Sequence, residues 1–195
     1  NGTIAPVNGE NIANRLQAAV NNELNEVIRL SPPEINSGGL DVAFYNIPQN
    51  GNITDQDFLG QSVIGPIDFD EESVTGYASG QNSELYILAE GLLKIPGEGL
   101  VSDLQLMTIS DDGVRVYLDQ NGTDDLDVVI DNWTYHAATE DESSLISAQG
   151  GNLIPIRVDF FQGGGFLALE LYWRAPSLGV DDYALIPAES QEPQK

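Results

Sequence analysis

Residues 106–133 read LMTISDDGVRVYLDQNGTDDLDVVIDNW, a strand, an acidic turn, a second strand, another acidic turn and a third strand that ends on Trp133. After Gly113, the residues Val114, Val116 and Leu118 alternate with Arg115, Tyr117 and Asp119. A period of two is that of a strand with one buried face. Asp111 and Asp112 therefore fall at a strand end, where a loop presents them. In an extended trans segment, neighbouring side chains point to opposite sides, so the two carboxylates would not readily grip one ion. A cis peptide would turn both the same way, and a hard dication with several oxygen ligands would neutralise the repelling pair. Asp and Gly are equally ordinary residues of a solvated turn, and the dipeptide alone leaves both readings open.

From residue 40 onward the same texture continues. The expected strands are Asp41 to Ile47, Glu84 to Ile95, Leu104 to Ile109, Gly113 to Asp119, Leu126 to Asp131, Ile154 to Phe161 and Phe166 to Trp173. Their spacing predicts an all-β fold, an antiparallel β-sandwich with long loops. The loops are placed at Gln49 to Gln61 and at the acidic stretch Asp68 to Ser83, with no further helix in this part. Residues 1–39 differ. Ile12, Ala13, Leu16, Val20, Leu24, Val27 and Ile28 recur at three- and four-residue steps, which predicts an N-terminal helical extension closed by Pro32-Pro33. A helix so poor in Lys and Arg is expected to pack on the sandwich or on a preceding domain rather than on an anionic membrane. Asn36 to Gly39 form the hinge, and residues 40–195 form the domain with its C-terminal tail.

Composition excludes several classes. The chain has 195 residues, enough for one domain with an appendage, and 41% of them are hydrophobic, enough for a core. Seven basic against 31 acidic residues give a net charge of -24, which repels nucleic acid and anionic membrane surfaces and favours metals or neutral ligands. With no cysteine, disulfides and thiolate metal sites are absent. One histidine, His136, and one methionine leave little material for zinc. There is no run of membrane-spanning length. The start, NGTIAPVNGE, has no initiating Met and no signal-peptide pattern, which reads as a piece excised from a longer exported protein.

Three blocks in order, SDDGVRVYLD, VVIDNW and IRVDFFQGGGFLALELYW, resemble those of the protective-antigen-type (PA-fourteen) domain, a β-sandwich shared by flocculins, epithelial adhesins and bacterial surface proteins. The resemblance spans about Leu40 to Pro187. In the lectin branch of that family an Asp-cis-Asp pair and a later loop hold calcium, and the calcium holds a sugar. The resemblance thus implies that Asp111 and Asp112 ligate calcium and face the sugar. The matching loop here is Phe161-Gln162-Gly163-Gly164-Gly165-Phe166. Read by itself it is a flexible hairpin, or a place where missing side chains let backbone oxygens approach an ion. With the resemblance, Gln162 is a ligand for the ion and the sugar through its amide, a departure from the family's Asn-like residue. Backbone groups of Gly163 and Gly164 complete the expected metal set.

A second possible metal site, Asp119, Asn121, Thr123, Asp125 and Asp127, alternates oxygen ligands but lacks the glycine and glutamate positions of an EF-hand, and a solvated hairpin reads the same residues. Asp68, Asp70, Glu71 and Glu72 are a weaker acidic candidate. Trp133 and Tyr135 read either as packing or as sugar-stacking residues, Trp173 as core, and Tyr45 and Tyr77 as rim positions. His136 has no nucleophile or partner in a catalytic arrangement.

The function expected is that of a calcium-dependent lectin module of an extracellular or cell-surface bacterial adhesin of the repeats-in-toxin kind, monomeric as excised. A neutral hexose such as glucose, fucose, mannose or galactose offers a vicinal diol that can replace two waters on an ion tolerating up to about eight oxygens. The alternative is a structural or protein-binding adhesion module whose calcium only rigidifies loops. An enzyme is not expected, since abundant carboxylates do not by themselves place two across a glycosidic bond.

Overall fold

The structure is a computed structural model and describes residues 38–47, 53–123 and 125–193. The expected helix within residues 1–39 lies outside the described residues. The strands are Leu40–Asn46 (β1), Phe58–Ile64 (β2), Asp68–Asp70 (β3), Leu85–Lys94 (β4), Gly99–Asp111 (β5), Val114–Leu118 (β6), Asp127–Asn132 (β7), Thr139–Glu142 (β8), Ile146–Gly150 (β9), Leu153–Gln162 (β10), Ala168–Ala175 (β11), Val180–Leu185 (β12) and Gln191–Glu192 (β13). A seven-stranded sheet runs β2-β1-β4-β10-β6-β7, with β13 also on β4. A six-stranded sheet runs β12-β11-β5-β8, with β3 on β11 and β9 on β5. Pairing within both sheets is antiparallel. The β-sandwich expected from the strand spacing is the fold observed.

Alternation builds the core. Leu85, Ile87 and Ala89 of β4, Ile156, Val158 and Phe160 of β10, and Val114, Val116 and Leu118 of β6 turn one face of the larger sheet inward. Leu104 and Leu106 of β5 and Leu169, Leu171 and Trp173 of β11 belong to the same buried cluster, so Trp173 is core as its pattern predicted. Each Val, Leu, Ile or Phe side chain among them, removed from water, stabilises the fold by about 1.5–3 kcal/mol.

Two expectations about the long loops are corrected. The acidic stretch Asp68 to Ser83 is not a plain connection, because it contains β3 and a short helix, Glu71–Tyr77 (α1). Asp70 caps that helix, accepting the Ser73 N–H at 2.8 Å while Ser73 Oγ accepts the Asp70 N–H at 2.9 Å. The carboxylate of this weaker metal candidate is thus engaged in helix capping. In the Gln49 to Gln61 loop, the last residues already form β2, an edge strand of the larger sheet.

Candidate functional site

Three connections cross from the larger sheet to the smaller, or back, at one end of the sandwich. Asp112 and Gly113 take the chain from β5 to β6, residues 133–138 from β7 to β8, and residues 163–167 from β10 to β11. The register fixes their meeting, since Ala168 is opposite Asp111, Phe160 opposite Val114, and Val114 opposite Asn132. The Asp111–Asp112 peptide is cis.

The Asp112 carboxylate ties the three connections together. Its Oδ1 accepts the His136 N–H at 3.1 Å, and its Oδ2 accepts the Gly163 N–H at 2.9 Å. Asp111 accepts the Ala138 N–H. Both side chains are enclosed, Asp111 at 8% and Asp112 at 6% exposure. Among the described residues neither is ion-paired to a Lys or Arg; the ion pairs there are Arg115–Asp131, Arg157–Glu90 and Arg157–Asp159. Burial, and then the neighbouring Asp112 charge, push the Asp111 carboxyl above its ordinary value, against the opposing Ala138 hydrogen bond.

An acid whose folded pKa is raised favours the folded state while protonated. Its contribution is fully present below the ordinary value of 3.8 and is lost as pH rises through the higher folded value. In metal-free protein, a carboxyl-carbon NMR titration is therefore expected to find Asp111 titrating above 3.8. A midpoint at or below that value would show that the site is wetter or more positive than its geometry implies.

Gln162 is brought to the pair, but through hydrogen bonds of its own. It is fully buried, its Oε1 accepts the Asp112 N–H at 3.0 Å, and its Nε2 donates to the Phe166 carbonyl at 2.7 Å. The amide braces the loop from behind, with its oxygen already engaged. The Gly163 carbonyl accepts the Glu84 N–H at 3.3 Å. A side chain at Gly163 would run into the Tyr135 ring, whereas one at Gly164 would meet open space. Gly165 likewise has open space around it, so Gly164 and Gly165 are the loop's open glycines.

The second acidic loop is arranged differently. Asp119 is buried and its Oδ1 accepts the N–H groups of Asn121 at 3.2 Å and Thr123 at 3.1 Å, while Asn121 Nδ2 donates to Asp127 at 3.2 Å. Asp125 and Asp127 are exposed. Among the described residues no three His, Cys, Asp or Glu side chains form a metal-sized group, here or at the Asp111–Asp112 pair. An ion at the pair would need backbone oxygens beside the two carboxylates.

Trp133, read from the sequence as packing or sugar-stacking, lies next to the pair with two rings the sequence did not single out. Trp133, Phe161 and Tyr86 form a chain of edge-to-face rings, with Trp133 to Phe161 at 4.8 Å and Tyr86 to Trp133 at 6.4 Å. Trp133 is half-buried on the outer side of the sheet, outside the core cluster. The packing reading for it holds only against this local set. His136 contributes its backbone to Asp112; its Nδ1 lies 2.9 Å from the Ala137 carbonyl, and its buried Nε2 has no hydrogen-bond partner among the described residues.

A family model described as the PA14 domain matches residues 55–180. No curated protein matches the chain. Among solved structures, an anti-sigma factor domain-containing protein superposes with a TM-score of 0.65 at 22% identity over 81% of this chain. The chain spans about half of that protein, 49% of its length. The Epithelial Adhesin 6 A domain from Candida glabrata, in complex with Galβ1-3GlcNAc, gives 0.60 at 12% identity over 82% of this chain and 88% of its own. A PA14 sugar-binding domain from an RTX adhesin gives 0.59 at 15% identity over 80% of this chain and 99% of its own. At these identities the likeness is one of fold.

Proposed function

The chain belongs to the PA14 domain family, and from that membership we propose that it is a calcium-dependent carbohydrate-binding module of an exported, cell-surface or secreted bacterial adhesin. One observation carries the reading. Asp111 and Asp112 are buried side by side, tethered by three backbone N–H groups and, among the described residues, ion-paired to no Lys or Arg, with His136 the one basic group that acts on Asp111. Two enclosed carboxylates without a cation are costly, and a hard dication is the group whose charge and oxygen preference suit them.

In this reading Asp111 and Asp112 hold calcium, and backbone oxygen near Gly164 adds to the set. Gln162 positions Asp112 through its N–H. When bound, the ion supplies coordination for a vicinal diol. The protein holds the loops so that little ordering is left to the moment of binding. A disaccharide bound to one solved structure of the same fold, and the sugar-binding name of another, support a neutral glycan as partner. The charge of -24 disfavours nucleic acid and anionic lipid. No described helix is long and apolar enough to cross a membrane. Among the described residues of the site no nucleophile is paired with a base, so binding rather than catalysis is the proposed activity, in a module proposed to be monomeric.

A glycan array probed with the chain in calcium and again in chelator tests this. Signal on neutral hexose-terminated glycans that vanishes with chelator is expected. A folded, calcium-bound chain that lights no glycan would leave the structural or protein-binding adhesion module in its place.

A further inference from the structure

Residues 133–138, which lend the N–H groups of His136 and Ala138 to the aspartates, leave the edge strand of one sheet and enter the edge strand of the other, from β7 to β8. The two ends of this connection are tied together. Asn132, the last residue of β7, donates its Nδ2 to the Asp141 carboxylate of β8 at 2.8 Å. Its Oδ1 accepts the Thr134 hydroxyl at 2.7 Å. One amide thus holds the far strand with its nitrogen and the start of the connection with its oxygen. Inside the connection, the Ala137 carbonyl accepts the Thr139 hydroxyl at 2.7 Å.

Register shows what the tie controls. Asn132 is opposite Val114 and Thr139 is opposite Ser110, and Ser110 and Val114 flank the segment Asp111-Asp112-Gly113. The ends of the connection therefore stand on either side of the carboxylate pair. β7 and β8 are both sheet edges, each held by a ladder on one side, so neither ladder fixes the distance from one strand to the other. The hydrogen bond between Asn132 and Asp141 spans that distance. Asp141 is half-buried and, among the described residues, ion-paired to no Lys or Arg, so its engagement here is one of geometry rather than of opposite charge.

A backbone N–H orients a carboxylate only as firmly as the N–H itself is held. Two neighbouring aspartates repel each other, and a slack connection would let them turn apart. We propose that Asn132, Asp141 and Thr134 are positioning residues for the carboxylate pair: their clasp holds the His136 and Ala138 N–H groups against Asp112 and Asp111 before any ion arrives, and so raises the affinity for calcium. This rests on the calcium reading of the pair. Loss of an outer partner of a metal ligand commonly lowers metal affinity about 10–100-fold, and the clasp, acting one bond further out, belongs at the lower end.

Calorimetric titration of calcium into the metal-free chain, with amide hydrogen exchange at His136 and Ala138 followed by NMR in the same protein, tests the clasp. Asp141→Ala removes the acceptor, and is expected to lower calcium affinity about tenfold and to speed exchange at both amides. Asp141→Asn removes the same charge but keeps an oxygen for the Asn132 amide, so its affinity and exchange are expected to stay near the wild-type values. The contrast separates the hydrogen bond from the charge. Thr134→Val, at an exposed position, loses only the hydroxyl that Asn132 accepts, and should give a smaller fall in the same direction. It keeps the proposal open to refutation if Asp141→Ala does not fold. Wild-type affinity and exchange in Thr134→Val and in a folded Asp141→Ala would overturn the proposal, as would equal losses in Asp141→Ala and Asp141→Asn. A folded wild-type chain that takes up no calcium would instead overturn the reading of the pair, and the proposal with it.

Discussion

Asp112→Ala is expected to lower hexose affinity by at least about a hundredfold, roughly 2.7 kcal/mol, and to destabilise the metal-free fold as well. The loss of binding follows from the removal of one of the two buried carboxylates proposed to hold the ion. The loss of stability follows from the other duty of the same side chain. Without it, the N–H groups of His136 and Gly163, now bonded at 3.1 and 2.9 Å, lose their acceptor. An unmet buried donor costs about 1–3 kcal/mol, offset here by relief of repulsion from Asp111. Asp112→Asn separates the two effects. It keeps an acceptor for one of the N–H groups and removes the charge, so it should lose sugar affinity to a similar degree with a smaller fall in melting temperature. Retained affinity in both variants, by calorimetry, would remove Asp112 from the site.

Gly113→Ala is expected to cost about 1–3 kcal/mol, the usual range for forcing a methyl group into a filled space. A Cβ there would fall on the Phe161 ring. That ring cannot simply swing away, because Trp133 and Tyr135 pack against it at 4.8 and 5.0 Å. Its own N–H is fixed to the Gly113 carbonyl at 2.9 Å. The displaced ring should change the near-ultraviolet circular dichroism, and unfolding should start at a lower temperature. An unaltered melting curve would show that this cluster of rings is softer than its contacts imply.

How much of this was legible in the sequence depended on burial. β4, β6, β10 and β11 each have one fully inward face, so hydrophobic alternation marked them. β8, with the sequence TEDE, and β12, with VDDYAL, are sheet-edge strands exposed over much of their length, and no alternation of apolar with polar residues marks them. α1 escaped because seven residues, with Val74 as its one buried member, make no stripe. The Asp111–Asp112 pair was readable from its place at a strand end and from the family blocks around it. The arrangement around Gln162 was not, since the partner of its amide oxygen is set by Asp112, fifty positions away in the chain. The aromatic cluster beside the pair was only partly legible. Trp133 was open to a stacking reading, whereas Tyr86 and Phe161 are unremarkable one by one, and only strand register sets them opposite each other.

Isothermal titration of glucose, mannose, galactose and fucose into the calcium-loaded chain, repeated after chelation and again after calcium is restored, tests the central claim most directly. Heat of binding with at least one hexose, abolished by chelator and recovered with calcium, is the expected result. Absence of heat with every sugar, in protein shown to be folded and calcium-bound, would contradict it, as would binding indifferent to the chelator.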